Sequence, residues 1–159
     1  MNSKIAAAGA AAALISVVLF AVFMLLSFDF GNYLVCMVLA IGFVIMTAGF
    51  CSECSPDRKT AAYSAMIFAA VYAVLVLLVY FAQTTTLRLE ELGSEAGRLL
   101  GYTDASLFFN YDLLGYGMMA LSTFFTGLVL KPSDTGDKVL KWLLLLHGAF
   151  FFGCFIFSP

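Results

Sequence analysis

The chain has 159 residues, of which 63% are hydrophobic and 11% charged, with a mean hydropathy of +1.01. A soluble domain carries about 45–50% apolar and about 25% charged residues, so a soluble globule, a disordered chain and a disulfide-rich secreted scaffold are excluded. Eight basic against ten acidic residues, a net charge of -2, leave no electrostatic footprint for nucleic acid.

The composition predicts an all-α integral membrane bundle, one transmembrane domain over residues 1–159, surrounded by membrane lipid. A helix rises about 1.5 Å per residue, so about 20 apolar residues cross a hydrocarbon core of about 30 Å. The first such run, Ile5–Phe28, follows Lys4 and opens Ala-rich, as a secretory signal would. It continues too long for one, and no small-residue cleavage site follows near Asp29, so it is expected to be a retained span.

Tyr33–Phe50 is the second run, and Cys51-Ser52-Glu53-Cys54 follows it directly. Two thiols at that spacing suit disulfide exchange or half of a tetrahedral thiolate metal site. Cys36 and Cys154 lie inside apolar runs, so the chain has neither a second CxxC nor a loop pair to relay electrons. Cys51 and Cys54 are expected to be incidental interfacial thiols, with redox or metal chemistry as the alternative.

In the third run, Ala61–Ala82, Ala65, Ala69 and Ala73 recur every four residues and offer a face for close helix packing. Ala6–Ala10 in the first run, and Ala149 with Gly153 in the fifth, offer similar faces. Residues 83–112 are too many for a simple turn. Leu89, Leu92, Ala96 and Leu99 share a helical face there, with Arg88, Glu91, Glu95 and Arg98 one position away. One short amphipathic helix is predicted, with Thr86 as its N-cap, lying at the membrane interface or as a lid over a cavity.

The fourth span falls within Leu107–Leu130, and its uninterrupted apolar part begins at Leu113. Either Asp112 caps a helix starting there, or the helix starts near Ser106 and Asn110 and Asp112 project into a cavity beneath the amphipathic helix. The fifth run, Val139–Phe157, carries Lys141 in its first turn and the sole histidine, His147. His147 lies about 12 Å from the near end of its run, at the level of Ser122 and Thr123 on the neighbouring span. A hydrogen bond to one of those hydroxyls is expected, with a proton-relay or ligand role as the alternative. Asp112 differs from it in depth by about 15 Å, so the two do not pair. One histidine supplies neither the two axial ligands of a haem nor a multi-His metal centre, and no cofactor is expected.

With five spans, Lys4, Arg58, Lys59, Lys131, Lys138 and Lys141 gather on one face, against Arg88 and Arg98 on the other. The positive-inside rule then places the N-terminus in the cytoplasm and the C-terminus outside, in a plasma or inner membrane. Trp142 reads as an inner-interface anchor, while Tyr33, Tyr80, Tyr102, Tyr111 and Tyr116 collect toward the outer end. The sequence contains no Gly-rich phosphate loop, nucleophile elbow or zincin motif.

The expected function is therefore non-enzymatic: binding or passing an apolar, lipid-like small molecule, or serving as a membrane-embedded interaction subunit. A homo-oligomer or a membrane partner would complete it. The expected cavity is lined by Tyr80, Asn110, Asp112 and Tyr116 at the outer end, with Ser122 and His147 deeper. The rival is an enzyme acting on a lipid-soluble substrate, through Cys51 and Cys54 or through His147 as an acid/base.

Overall fold

A computed structural model of the chain describes residues 2–89 and 92–156, Phe155 by its backbone alone. Among these residues the fold is entirely helical. Its long elements are α1 (Asn2–Leu25), α2 (Asp29–Ser52), α3 (Lys59–Thr84) and α6 (Leu107–Val129). All four are long and apolar enough to cross a membrane, as an integral membrane protein requires. Short helices α4 (Thr86–Leu89) and α5 (Ser94–Leu100) lie between α3 and α6, and α7 (Thr135–His147) and α8 (Phe150–Ile156) follow.

The first span ends three residues before the apolar run does. Ser27 takes a left-handed backbone, φ 52°, and reverses the chain between α1 and α2. Its N–H donates to the Met24 carbonyl (3.1 Å) and that of Phe28 to the Phe23 carbonyl (2.9 Å), the paired bonds of a Schellman stop. The Phe23 and Phe28 rings meet edge-on at 5.4 Å, supplying the apolar contact that accompanies such a stop. Hydrophobicity alone gave no sign of this turn, because Leu26 and Phe28 are as apolar as the helix before them.

Small residues set the packing. A Cβ added at Gly42 of α2 would lie 2.9 Å from the Gly9 carbonyl oxygen of α1, and one at Gly49 would collide with Ala6. Glycine is what lets these two backbones touch, which suits helices that have no hydrophobic drive to associate in lipid. The alanine face of α3 is buried as expected, with Ala65 and Ala69 fully enclosed. The core is shared by α2, α3 and α6 and centres on Cys36, Phe43, Tyr72, Val76 and Tyr80. By contrast α1 packs on α2, while α7 and α8 pack on α6. Leu14, Leu25, Ile67, Val74 and Trp142 are among the many large apolar side chains left on the outside.

Several expectations need correction. The stretch after α3 is not one amphipathic helix, because α4 and α5 are separate and Gly93 has an extended ψ of 156° at the start of α5. Glycine between two weak turns is a poor place to propagate a helix. Thr86 is the first residue of α4 rather than its cap, Thr84 ends α3 with Thr85 as its C-cap, and Glu90 and Glu91 lie outside the described residues. Of the two starts weighed for the fourth span, the structure has the one near Ser106: Asp112 does not cap the helix, and the Ser106 side chain does, accepting from the Phe109 N–H at 3.1 Å.

The fifth run is not one uninterrupted helix. It breaks at Gly148–Ala149, where bonds from Ala149 N–H to the Leu146 carbonyl and from Phe151 N–H to Gly148 tighten the turn. A Cβ at Gly148 would lie 2.7 Å from that of Phe124, so this glycine, rather than Ala149 or Gly153, makes the close approach. Phe157 is outside the described residues. At the start of α7, Asp134 caps the helix by accepting from the Asp137 N–H at 2.8 Å. The Ser133 hydroxyl and N–H donate to Asp137.

Candidate functional site

One end of the bundle is rich in tyrosine. Asp112 sits in the second turn of α6 and is 3% exposed. Tyr80, near the end of α3, donates to Asp112 Oδ2 at 2.9 Å, and Tyr102, on the loop before α6, donates to the same oxygen at 2.5 Å. The two phenols lie 3.3 Å apart. Asp112 Oδ1 has no donor among the described residues, and no cation pairs with the carboxyl there. Burial raises the Tyr102 phenol above its ordinary range, and the Asp112 carboxyl adds to the effect, so Tyr102 remains a donor.

Around this carboxyl the rings are closed together. Tyr33 stacks on Tyr80 at 5.5 Å and meets Tyr102 edge-on at 5.8 Å, and Phe109 covers the other side of Tyr102. Below them Tyr116 donates to the Cys36 thiol at 3.7 Å, and Tyr72 lies against Tyr116 with its hydroxyl unpaired. The helical spacing explains the alignment. Asp112 and Tyr116 are four apart on α6, and Tyr72, Val76 and Tyr80 are four apart on α3, so each set lies along one face.

The expected cavity residues therefore divide. Tyr80, Asp112 and Tyr116 come together, whereas Asn110 is exposed on another side of α6. Ser122 is fully buried and donates to the Ala65 carbonyl of α3 at 2.8 Å, which ties two helices. His147 Nδ1 is 2.8 Å from Thr123 Oγ1, the neighbour expected from depth. Thr123 directs its own proton to the Ala120 carbonyl (2.8 Å), so the hydrogen-bond network assigns the ring nitrogen as donor. Asp112 lies eleven residues along α6 from Thr123, about 16 Å from the histidine level. Tyr102, Cys36, Tyr72 and Tyr33 were not among the expected site residues. The four-residue spacing of Tyr72, Val76 and Tyr80 is a signal that could have found Tyr72, but nothing in the sequence places a loop residue such as Tyr102 over α3.

The opposite end is basic. Arg58 Nη1 donates to the carbonyls of Leu128 (3.0 Å), Val129 (3.4 Å) and Leu130 (2.8 Å), the last two of α6 and that of its C-cap. Lys141 adds a bond to Leu130 at 3.0 Å. These cations meet the negative end of the α6 dipole while satisfying its last acceptors. Lys131 pairs with Asp57 at 3.6 Å.

Two grooves open at this end. One, of about 520 Å³, lies between α1, α2 and the end of α6, with Ala6, Ala7, Ala10, Met46 and Phe50 among its walls and Asn2, Ser3, Glu53 and Lys131 among its polar residues. The other, of about 320 Å³, is lined by Cys51, Cys54, Lys59, Ala62, Tyr63 and Met66. Both thiols are free, and Cys51 donates to the Ala62 carbonyl at 3.3 Å. No family model, curated protein or solved structure matches this chain.

Proposed function

We propose that the chain is a membrane-embedded, non-enzymatic protein that binds an apolar, lipid-like ligand in the larger groove at its basic end. The observation that carries this reading is the groove itself. Its volume of about 520 Å³ falls among small-molecule sites, and apolar walls end in a mouth carrying both a cation and an anion. A hydrocarbon tail suits the walls contributed by α1 and α2, and a polar headgroup suits Lys131 and Glu53. The ligand class is the one composition suggested, but the place differs from the tyrosine end, where the rings are packed against one another.

The same reading takes α7 and α8 together as a fifth crossing. Residues 135–156 would span about 33 Å. The pairings Lys141 with Leu130, Gly127 with Leu145 and Thr123 with His147 support a path antiparallel to α6. Five crossings put the N-terminus and the basic end in the cytoplasm and the C-terminus outside, and put α5 at the outer interface of a plasma or inner membrane. The exposed apolar flank of α1 is then available to lipid, to a second copy or to a partner subunit.

Photolabelling tests the groove. Purified protein in lipid nanodiscs, irradiated with a phospholipid bearing a photoreactive group on its acyl chain, is expected to label residues 6–10 and 46–50. The variant Ala7→Trp, which fills the groove from an exposed position of α1, should cut that labelling several-fold. Labelling spread over all lipid-facing helices and indifferent to Ala7→Trp would sink the reading.

The enzymatic rival has one observation in its favour: Cys51 and Cys54 line a single groove beside Lys59. It requires that the two thiols cycle with a disulfide. Replacing both with Ser should then abolish a redox-dependent change in gel mobility, and a wild-type protein without that change removes this branch.

A further inference from the structure

We infer that Asp112 is a proton-binding site, fed from the aqueous phase at the tyrosine end through Tyr102 and held by the phenols of Tyr80 and Tyr102. The hydrogen bonds around the carboxyl suit neither protonation state fully. Ionised, Asp112 has two phenol donors on Oδ2 and nothing on Oδ1. Protonated on Oδ1, it keeps both phenol bonds and loses the cost of a bare charge at a buried position in a spanning helix, but its own O–H has no acceptor among the described residues. A carboxyl poised between two imperfect states is one that changes state.

The occupant is a proton rather than a larger cation on steric grounds. Tyr33, Tyr80 and Tyr102 stand at ring separations of 5.5 to 5.8 Å, which is direct contact and leaves no berth for an organic ammonium between them. The titratable groups around Asp112 are Cys36 from α2, Tyr72 and Tyr80 from α3, Tyr102 from the loop and Tyr116 from α6, with Tyr33 of α2 stacked behind Tyr80. All are neutral, so no neighbouring cation holds the carboxyl ionised. Arg88 lies over the Phe30 ring at 4.3 Å, and Arg98 and Asp104 are exposed.

The step is a simple transfer. A proton from water reaches the hydroxyl of the partly exposed residue Tyr102, whose own proton passes to Asp112 Oδ2 across the 2.5 Å bond, leaving the phenol neutral. A half-turn of the carboxyl about its Cβ–Cγ bond then exchanges the two oxygens, so that the protonated one takes the Oδ1 position and the bare one accepts both phenols. Beyond Asp112, Tyr80, the Cys36 thiol and Tyr116 extend the line of exchangeable protons toward the middle of the bundle.

Infrared difference spectroscopy on the full chain in nanodiscs tests this, with pH stepped between about 4 and 9. A carboxylic C=O band that disappears as pH rises is expected in the wild type and should be missing from Asp112→Asn. Removing a donor to the carboxylate weakens the ionised form, so Tyr102→Phe should raise the midpoint and increase proton affinity about tenfold or more. A wild-type spectrum without an Asp112 band, or a midpoint unmoved in Tyr102→Phe, overturns the inference. The second variant keeps the question answerable if Asp112→Asn does not fold, since wild type and Tyr102→Phe are compared directly.

Discussion

The two ends of the α2, α3 and α6 core are closed by different means. At the tyrosine end, side chains bond to side chains: two phenols converge on one carboxyl and stacked rings fill the space around them. At the basic end, long cations reach past side chains to backbone carbonyls, Arg58 holding three at the end of α6 and Lys141 one. The first arrangement consumes interior volume and seals it. The second fastens helix ends from the rim and leaves the space between α1, α2 and α6 open. A bundle this small can therefore be solid at one end and hollow at the other without any change in helix number.

That contrast can be broken at either end. The largest effect is expected from Asp112→Leu, which removes the acceptor shared by buried Tyr80 and partly exposed Tyr102 and should cost about 2 kcal/mol in a denaturant titration in detergent. If stability is unchanged, the tyrosine end is not held by this carboxyl. Arg58→Ala should cost about 1 kcal/mol, because the α6 carbonyls it leaves lie near water that can replace it. The groove should remain, so photolabelling of residues 6–10 in Arg58→Ala should stay near the wild-type level. Loss of labelling there would mean that the clamp shapes the cavity as well as fastening the helix.

Much of the bundle could be read from composition and spacing, and the parts that could not share a cause. Long apolar runs without charge identify helices suited to lipid, and the four-residue rhythm of Ala65, Ala69 and Ala73 marks a face that does lie buried. Depth counting along antiparallel runs brought His147 to Thr123. Helix ends were less accessible, because Ser27 stops α1 by a backbone conformation that hydropathy does not encode. The start of the fourth span depended on Ser106, a cap that precedes an apolar run interrupted by Asn110 and Asp112. Tyr102 was out of reach for another reason: its place over Asp112 is fixed by tertiary folding of the loop, and no periodicity reports on that. Two of the basic residues from which an orientation was expected have a role of their own in three dimensions, since Arg58 and Lys141 cap the end of α6.

The stop at Ser27 has a bearing on biosynthesis. It joins two helices of 24 residues through a three-residue reversal, and their glycine contacts need nothing from the rest of the chain. This hairpin can be complete in the bilayer while the ribosome is still making α6, leaving α2 with one face already occupied and the other awaiting its later neighbours. A bulky residue at Gly42 would then act early, during insertion, and no repair at the tyrosine end would compensate for it.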